Sequence, residues 1–573
     1  MNAVIPAPAL PAADTQSHAL VRARADARGP AAAGPWHLHS DPGLAQVEET
    51  VRALLEPHLG ARLLPAAVDE PATGRQPDPV GEPATGGEPD PVGEPATGGG
   101  PGPVLRLTLG EAPPPPRRAV GVAPDGTPVP VDESYGLTIG PDGITCRART
   151  AAGVFRAATT ALQLIALAGP DGELEPRQLS DAPHYAWRGL LVDPARCFID
   201  PDDLRRIIDL AALYKVNVLH LHLTDNEGWR IEAPSVPSLT ASHRSGKGAL
   251  YSAEEYAALQ EYAARRYITV VPEINLPGHC AALRAAVPDL PDAPAPEGVA
   301  GRFPYVPPLD LADRRTRTVV GQVLADVCAM TAGPFVHIGG DEAVGITDES
   351  FAVAVRELRA LVRGFGKRPV GWQETARAGV TEQDLAQYWV DPEMMDLPAT
   401  AEDLAGRPDL LAAGFTPELV AAMRRFFAPS ADDLERVLAG GGRVILSPQS
   451  HLYLDRGYAA AVAPAERAAD AARLGFPSYL PRDVRHTAGW DPAAYGLPAD
   501  RIAGVEATLF GEVLQGIDDL STMLLPRLAS VAETAWSGRP ATWETHRAAL
   551  ARHGRLWQQR RLAYFPATDV PWL

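Results

Sequence analysis

From Trp187 onward the chain alternates short apolar runs with amphipathic stretches, and no other feature narrows its fold as much. The apolar runs are "RGLLVDPAR", "VNVLHLHLTD", "YITVVPEIN", "FVHIGG", "RPVGWQE", "LAQYWV", "GRVILSP" and "IAGVEATLF". Between them lie segments of helical periodicity. After the first run, Asp200 is placed to cap a helix that opens on Pro201, with Leu204, Ile207, Ile208 and Ala211 as its buried stripe. Ser252 and Glu255 have the spacing of a capping box, with Tyr251 and Tyr256 as the staple around it. Eight such βα units in about 350 residues predict a (β/α)8 TIM barrel, an α/β fold. A doubly wound open sheet is the weaker alternative, because no glycine-rich phosphate fingerprint follows the first strand.

The 573-residue chain is longer than a barrel requires. "VLRLTLG" and "YGLTIGPDGITCRART" read as strands, with a turn at "GPDG". "AGVFRAATTALQLIAL" reads as a helix with Phe155, Ala158, Leu162 and Ile165 on one face. These predict a small α+β domain over 1–183, ahead of a catalytic barrel with a C-terminal helix over 184–573. Residues 70–104 repeat with a period of 12 ("EPATGRQPDPVG", "EPATGGEPDPVG", "EPATGGGPGPV"). So much Pro, Gly and Glu cannot bury a core, and the repeat is expected to be a disordered insertion in the first domain.

Composition excludes several functions. A formal net charge of −19, with no Lys/Arg cluster, argues against a nucleic-acid partner. No run of about 18 apolar residues suggests a membrane span. The N-terminus "MNAVIPAPALPAADTQ" lacks a charged n-region and a continuous apolar h-region. Cys146, Cys197, Cys280 and Cys328 are widely spaced and suit reduced, buried thiols. A cytoplasmic protein is the expectation, with leaderless export as the alternative. Oligomeric state is not legible.

In a barrel the catalytic groups sit at the C-terminal strand ends. Here those ends carry Arg188, Asp193, His220, His222, Asp225, Glu273, Asn275, His279, Asp341, Glu342, Trp372, Glu374, Trp389, Glu506 and Glu512. A lone carboxylate at such a place is more often a helix cap. Asp341 and Glu342, however, follow Gly339 and Gly340, which permit a sharp bend or close ligand approach. Two carboxyls in one pocket raise the pKa of one of them, so that it can donate a proton near neutral pH. Trp372 and Trp389 at adjacent strand ends offer indole faces for a pyranose, although each could equally be core. His220 and His222 share one strand face, so a metal-dependent hydrolase, with His279, His337 and Asp341 as further ligands, is a second reading. Orienting carboxylates is the more ordinary task for such histidines.

The segments "WRGLLVDPARCF", "VLHLHLTDNEGWRIE", "VVPEINLPGH", "VHIGGDEA", "GWQE", "YLD", "GVEATLFGE" and "LLPRLASVAETAWS" occur in the order seen in glycoside hydrolase family 20. Over about residues 187 to 537 the chain resembles that family, the β-N-acetylhexosaminidases, and 104–170 resembles the small domain that precedes its barrel. The resemblance implies an exo-acting, retaining enzyme that removes terminal β-linked GlcNAc or GalNAc by substrate-assisted catalysis. Glu342 would be the general acid/base. Asp341 would orient the 2-acetamido group and stabilise the oxazolinium ion. Arg188 and Glu512 would bind sugar hydroxyls, Asp455 would hold another, and Tyr453 would bond the acetamido oxygen. Trp372 and Trp389 would wall the acetamido pocket, and Asp225 with His279 would support Glu342. The resemblance implies no cofactor and no metal, and a carbohydrate as the only partner.

Four positions depart from the family pattern. Leu221 stands where Trp is usual between the two histidines, and Asn226 and Glu227 follow Asp225 where the family has "DQ". Asn275 replaces an Asp, which is expected to weaken the network around His279. Phe510 replaces a sugar-stacking Trp, which is expected to weaken substrate binding. These departures make a non-hydrolytic sugar-binding barrel the further alternative. The stretch 391–440 is longer than an ordinary connection and is expected to hold two helices and a rim or lid.

Overall fold

The computed structural model describes residues 35–60, 63–64, 102–114, 119–127, 130–168, 172–244, 249–296, 306–395, 397–412 and 414–573. Most of the repeat, 70–101, lies outside the described residues. The first part forms a six-stranded sheet from β1 (Trp36–Ser40), β2 (Leu63–Leu64), β3 (Val104–Leu109), β4 (Tyr135–Gly140), β5 (Gly143–Ala148) and β6 (Arg177–Asp181). Its order is β2-β1-β3-β5-β4-β6, with β4 antiparallel to both neighbours. The helices Ala45–Leu59 and Ala151–Ala168 pack on it. Among the described residues, Ala151–Ala168 is the one helix long and apolar enough to cross a membrane, but most of its surface is buried inside this domain.

The second part is a closed parallel barrel of β7 (Trp187–Val192), β8 (Val218–His222), β9 (Thr269–Glu273), β10 (Phe335–His337), β11 (Arg368–Trp372), β12 (Leu385–Tyr388), β13 (Arg443–Leu446) and β14 (Ile502–Leu509). The chain is thus a TIM barrel behind a small α+β region, and all eight apolar runs are its strands. The helix caps are formed as the sequence indicates. Asp200 accepts the Asp202 N–H ahead of Pro201–Leu213, and Ser252 and Glu255 close a reciprocal capping box.

Two-residue periodicity fixes what fills the barrel. A ring of Trp187, Val218, Val271, Phe335, Val370, Leu385, Ile445 and Ala503, one residue per strand, plugs the floor. Two residues further along five of these strands stand His220, Glu273, His337, Trp372 and Gln387, so the next layer is polar. At this level Gly189 leaves room for Glu506, whose Oε2 lies 2.1 Å from where a Cβ would be. Buried ionic groups persist only when paired, and these are. His220 Nδ1 meets Glu506 Oε1 at 2.7 Å, Trp187 Nε1 donates to Glu506 Oε2 at 2.9 Å, and His222 Nδ1 meets Glu273 Oε2 at 2.5 Å. The barrel therefore becomes more polar from floor to rim.

The floor carries the contact with the first domain. Arg188 is buried there, its guanidinium clamped by Glu133 at 2.9 and 2.7 Å and by the carbonyls of Tyr185 and Lys215. Arg156, on the helix Ala151–Ala168, shares the same carboxylate at 2.7 Å. Burial alone would raise Glu133, but the two guanidinium groups hold it below the usual carboxylate range. A half-open pocket of about 380 Å³ lies beside this cluster, among Asn217, Tyr267, Thr269 and Pro334. Its buried carboxylate, Glu133, is already doubly paired.

Candidate active site

The loop after β10 brings the two carboxylates to the rim. Gly339 (φ 70°) and Gly340 (φ 94°) take left-handed backbone, and so does Glu342 (φ 45°), a conformation that non-glycine residues seldom adopt. A Cβ on Gly339 would fall 1.9 Å from Asn275 Oδ1, and one on Gly340 would fall 2.5 Å from Thr375 Cγ2. The double glycine is thus required by both backbone and space. The turn lets Asn275 clasp the loop: its Nδ2 donates to Asp341 Oδ1 at 2.8 Å and its Oδ1 accepts the Gly340 N–H at 3.2 Å. Asn275 therefore acts on Asp341. It is not bonded to His279, where the sequence reading placed its effect.

His279, also left-handed (φ 47°), stands between the two acids. Its Nε2 is 3.8 Å from Asp341 Oδ2 and 3.8 Å from Glu342 Oε2, while Nδ1 lies 3.0 Å from Asp225 Oδ1. Asp225 Oδ2 in turn meets His222 Nε2 at 2.8 Å. Burial would lower the pKa of His279, but the charges of Asp225 and Asp341 hold it up at about 9. Burial pushes Glu342 up to about 7, with Asp341 adding to the rise and the His279 cation opposing it. Asp341 is also raised by burial, with His279 and the Asn275 amide pulling it back toward the anion. Near pH 6 this leaves Glu342 largely protonated, with the His279 cation 3.8 Å from both acids.

Aromatic rings form the other side. Trp389 stacks on Tyr453 with centroids 6.1 Å apart and 12° between planes. Tyr453 also lies 5.3 Å from Phe510, and Phe510 lies 6.3 Å from Trp372. Both tryptophans turn their indole N–H away from this cluster and onto buried carboxylates: Trp372 donates to Glu273 at 2.8 Å, Trp389 to Glu374 at 3.1 and 3.2 Å. The long stretch after β12 supplies the backing. Phe427, at the end of the helix Pro417–Phe427, packs edge-on against Trp389 at 5.7 Å, with Met394, Met423 and Phe426 around it.

The sequence reading is corrected at Arg188. It is the second residue of β7, at the floor, where Glu133 holds it, whereas a sugar-binding group must reach the opposite end. Arg196, just past the same strand, occupies the rim. It pairs with Asp193 (3.1 Å), Asp225 (2.8 Å) and Glu227 (3.1 Å), approaches Glu512 at 4.0 Å, and lies 5.6 Å from the Phe510 ring centre. Asp455 is buried close by; its Oδ1 has no hydrogen-bond partner among the described residues, and burial with the charge of Glu512 holds its carboxyl well above the ordinary range. This separation is testable. Arg188→Met is expected to cost about 3 kcal/mol in a denaturant melt, because it leaves buried Glu133 with Arg156 alone in place of two guanidinium groups, with KM unchanged. Arg196→Met is expected to raise KM about tenfold or more.

His220 and His222 lie against carboxylates, while His337 Nε2 has no hydrogen-bond partner among the described residues. Both ring nitrogens of His222 are engaged, by Glu273 and Asp225, which leaves no lone pair for a cation. His337 Nδ1 accepts the Gly339 N–H at 3.1 Å and so braces the glycine loop. The His-x-His strand thus serves the acid network.

Residues 185–539 match the family model "Glycosyl hydrolase family 20, catalytic domain". The chain is 34% identical over 455 residues to a β-N-acetylhexosaminidase of Cellulomonas fimi, covering 77% of this chain and 82% of that one. Among solved structures it resembles Streptomyces plicatus N-acetyl-β-hexosaminidase in complex with Thio-NAglucal, at TM-score 0.71 and 29% identity over 100% of this chain and 98% of that one. A mutant of the same Streptomyces enzyme in complex with its product GlcNAc matches at TM-score 0.70 and 29% identity, again covering 100% and 98%.

Proposed function

The chain belongs to glycosyl hydrolase family 20, and on that premise we propose how its rim residues divide the work of the reaction. It is an exo-acting, retaining β-N-acetylhexosaminidase that releases terminal β-linked N-acetylhexosamine through an oxazolinium intermediate. The reading of its residues is carried by one observation: two adjacent carboxyls, Asp341 and Glu342, meet at the barrel rim, each 3.8 Å from a single imidazole.

In the first step Glu342 protonates the departing glycosidic oxygen. The substrate's own acetamido oxygen attacks the anomeric carbon as the C–O bond breaks, and the amide becomes a cyclic oxazolinium cation. Such an internal nucleophile enjoys a high effective molarity. Asp341, fixed by Asn275, accepts the amide N–H and stabilises the positive charge as it forms. Glu342, now anionic, takes a proton from water as the water opens the ring from the face the aglycone left, so configuration is retained. Trp372, Trp389 and Tyr453 enclose the acetamido group and hold it on this trajectory. Arg196, Asp455 and Glu512 bind the sugar hydroxyls, with Phe510 beneath the ring.

The test is a matched pair of aryl β-glycosides, one with the 2-acetamido group and one with a 2-hydroxyl. The acetamido substrate is expected to be cleaved about 10³-fold faster or more, and comparable rates would refute the assignment. The pH profile follows from Glu342. The acid must be protonated in the free enzyme, so kcat/KM holds below about 7 and falls about tenfold per unit as pH rises beyond it.

A further inference from the structure

Glu374 follows β11 in the 3-10 turn Gln373–Ala378, behind the aromatic wall and out of reach of the bond that is broken. It is 5% exposed, and both of its oxygens face the Trp389 indole N–H. The neighbouring Gln373 Oε1 accepts the backbone N–H of Trp389 at 2.8 Å and of Val390 at 2.9 Å. Two consecutive side chains of one turn therefore hold the same residue of the next strand end, Gln373 by its backbone and Glu374 by its ring.

Nothing else in the surroundings requires a carboxyl there. Among the described residues Glu374 makes no ion pair. Arg377, whose charge favours its anion, is bonded to Asp433 at 2.6, 3.0 and 3.2 Å. Burial, then the charge of Asp341, raise Glu374 to about 8; Asp433 adds to the rise and Arg377 opposes it. A buried carboxyl whose anion Asp341 disfavours, and which has no cation of its own among the described residues, costs stability. Its one evident return is an indole held at a fixed angle.

We propose that Glu374 is a positioning residue that fixes Trp389 as the wall of the acetamido pocket and thereby sets the preference for 2-acetamido over 2-hydroxyl sugars. The proposal rests on the functional reading above. Phe427 presses Trp389 from one side and Tyr453 from another, so the ring has two aromatic contacts among the described residues. Among the described residues, the hydrogen bond to Glu374 is the contact made by the indole N–H, and it sets which edge points outward. Without it the ring can turn, the wall loses its shape, and the acetamido oxygen loses alignment with the anomeric carbon. A substrate without the acetamido group never uses the wall.

The experiment compares kcat/KM for the two matched aryl glycosides in the wild type, Glu374→Met, Glu374→Gln and Trp389→Phe. Methionine fills the space without an acceptor, and glutamine keeps one. Glu374→Met is expected to lose about 30-fold on the acetamido substrate with the hydroxyl substrate unchanged, and Glu374→Gln to stay within about threefold of wild type. Trp389→Phe, which removes the indole N–H, is expected to lose the same preference, and adding Glu374→Met to it to lose nothing further. A wild type without preference would sink the functional reading. A wild type with preference, retained in full by Glu374→Met, would overturn the positioning role. Should Glu374→Met fail to fold, undiminished preference in Trp389→Phe overturns it equally.

Discussion

Glu342→Gln is expected to lower kcat/KM about 10³-fold on alkyl or sugar aglycones, within the range that general acid catalysis contributes. The amide matches the carboxyl in size and offers no acidic proton. The loss should depend on the leaving group. An aglycone such as dinitrophenolate departs without protonation, so for it the first step survives and only the later hydration slows. A burst of aglycone followed by slow turnover is the expected record in stopped flow. A uniform loss across leaving groups would place the proton donor elsewhere. The pH profile gives a second check, because the fall above about 7 belongs to Glu342 and should vanish in the amide variant. Asp341 should not take over, since its charge is shared with His279 and Asn275.

The second large effect is expected for Asp341→Asn, about 10²- to 10³-fold in kcat, the scale reported by removal of one preorganised electrostatic partner. Here KM should change little, because a neutral amide still fills the place beside the acetamido group. What disappears is the stabilisation of positive charge, which exists only as the ring closes. The two variants thus fail differently. Loss in Glu342→Gln tracks the aglycone, and loss in Asp341→Asn tracks the nucleophilicity of the N-acyl group. Measuring rates with mono-, di- and trifluoroacetamido substrates separates them, and a flat response in both enzymes would contradict the division of labour.

The barrel was legible because its strands carry a period-two message that local sequence preserves. Val218-x-His220-x-His222 states in five residues that the strand is buried at its base and polar at its mouth. The same periodicity argues against Arg188 as a sugar ligand. It is the second residue of β7, and at about 3.3 Å per residue it lies more than 10 Å below the end of its strand. Arg196, in the loop after that strand, was the position to favour. The Asn275–Asp341 bond was harder to foresee, because it depends on a left-handed turn at Gly339 whose direction the letters do not state. Glu374 stood in the strand-end series, but its bond to Trp389 joins two strand ends across a 3-10 turn. In the first domain the short strands Trp36–Ser40 and Arg177–Asp181 carry little signal in the sequence, since their apolar residues are few and their partners are distant along the chain.

Because both indole N–H groups point outward, the chamber for the acyl group presents only carbon and π-electron surface from its two tryptophans. Those two indole walls measure girth and are nearly blind to polarity. A trifluoroacetyl sugar, close in bulk to the natural one, should therefore be admitted with ordinary affinity, yet its electron-poor carbonyl closes the ring slowly. Occupancy and turnover come apart for that compound, and it should act as a competitive blocker of the enzyme that is consumed only sluggishly.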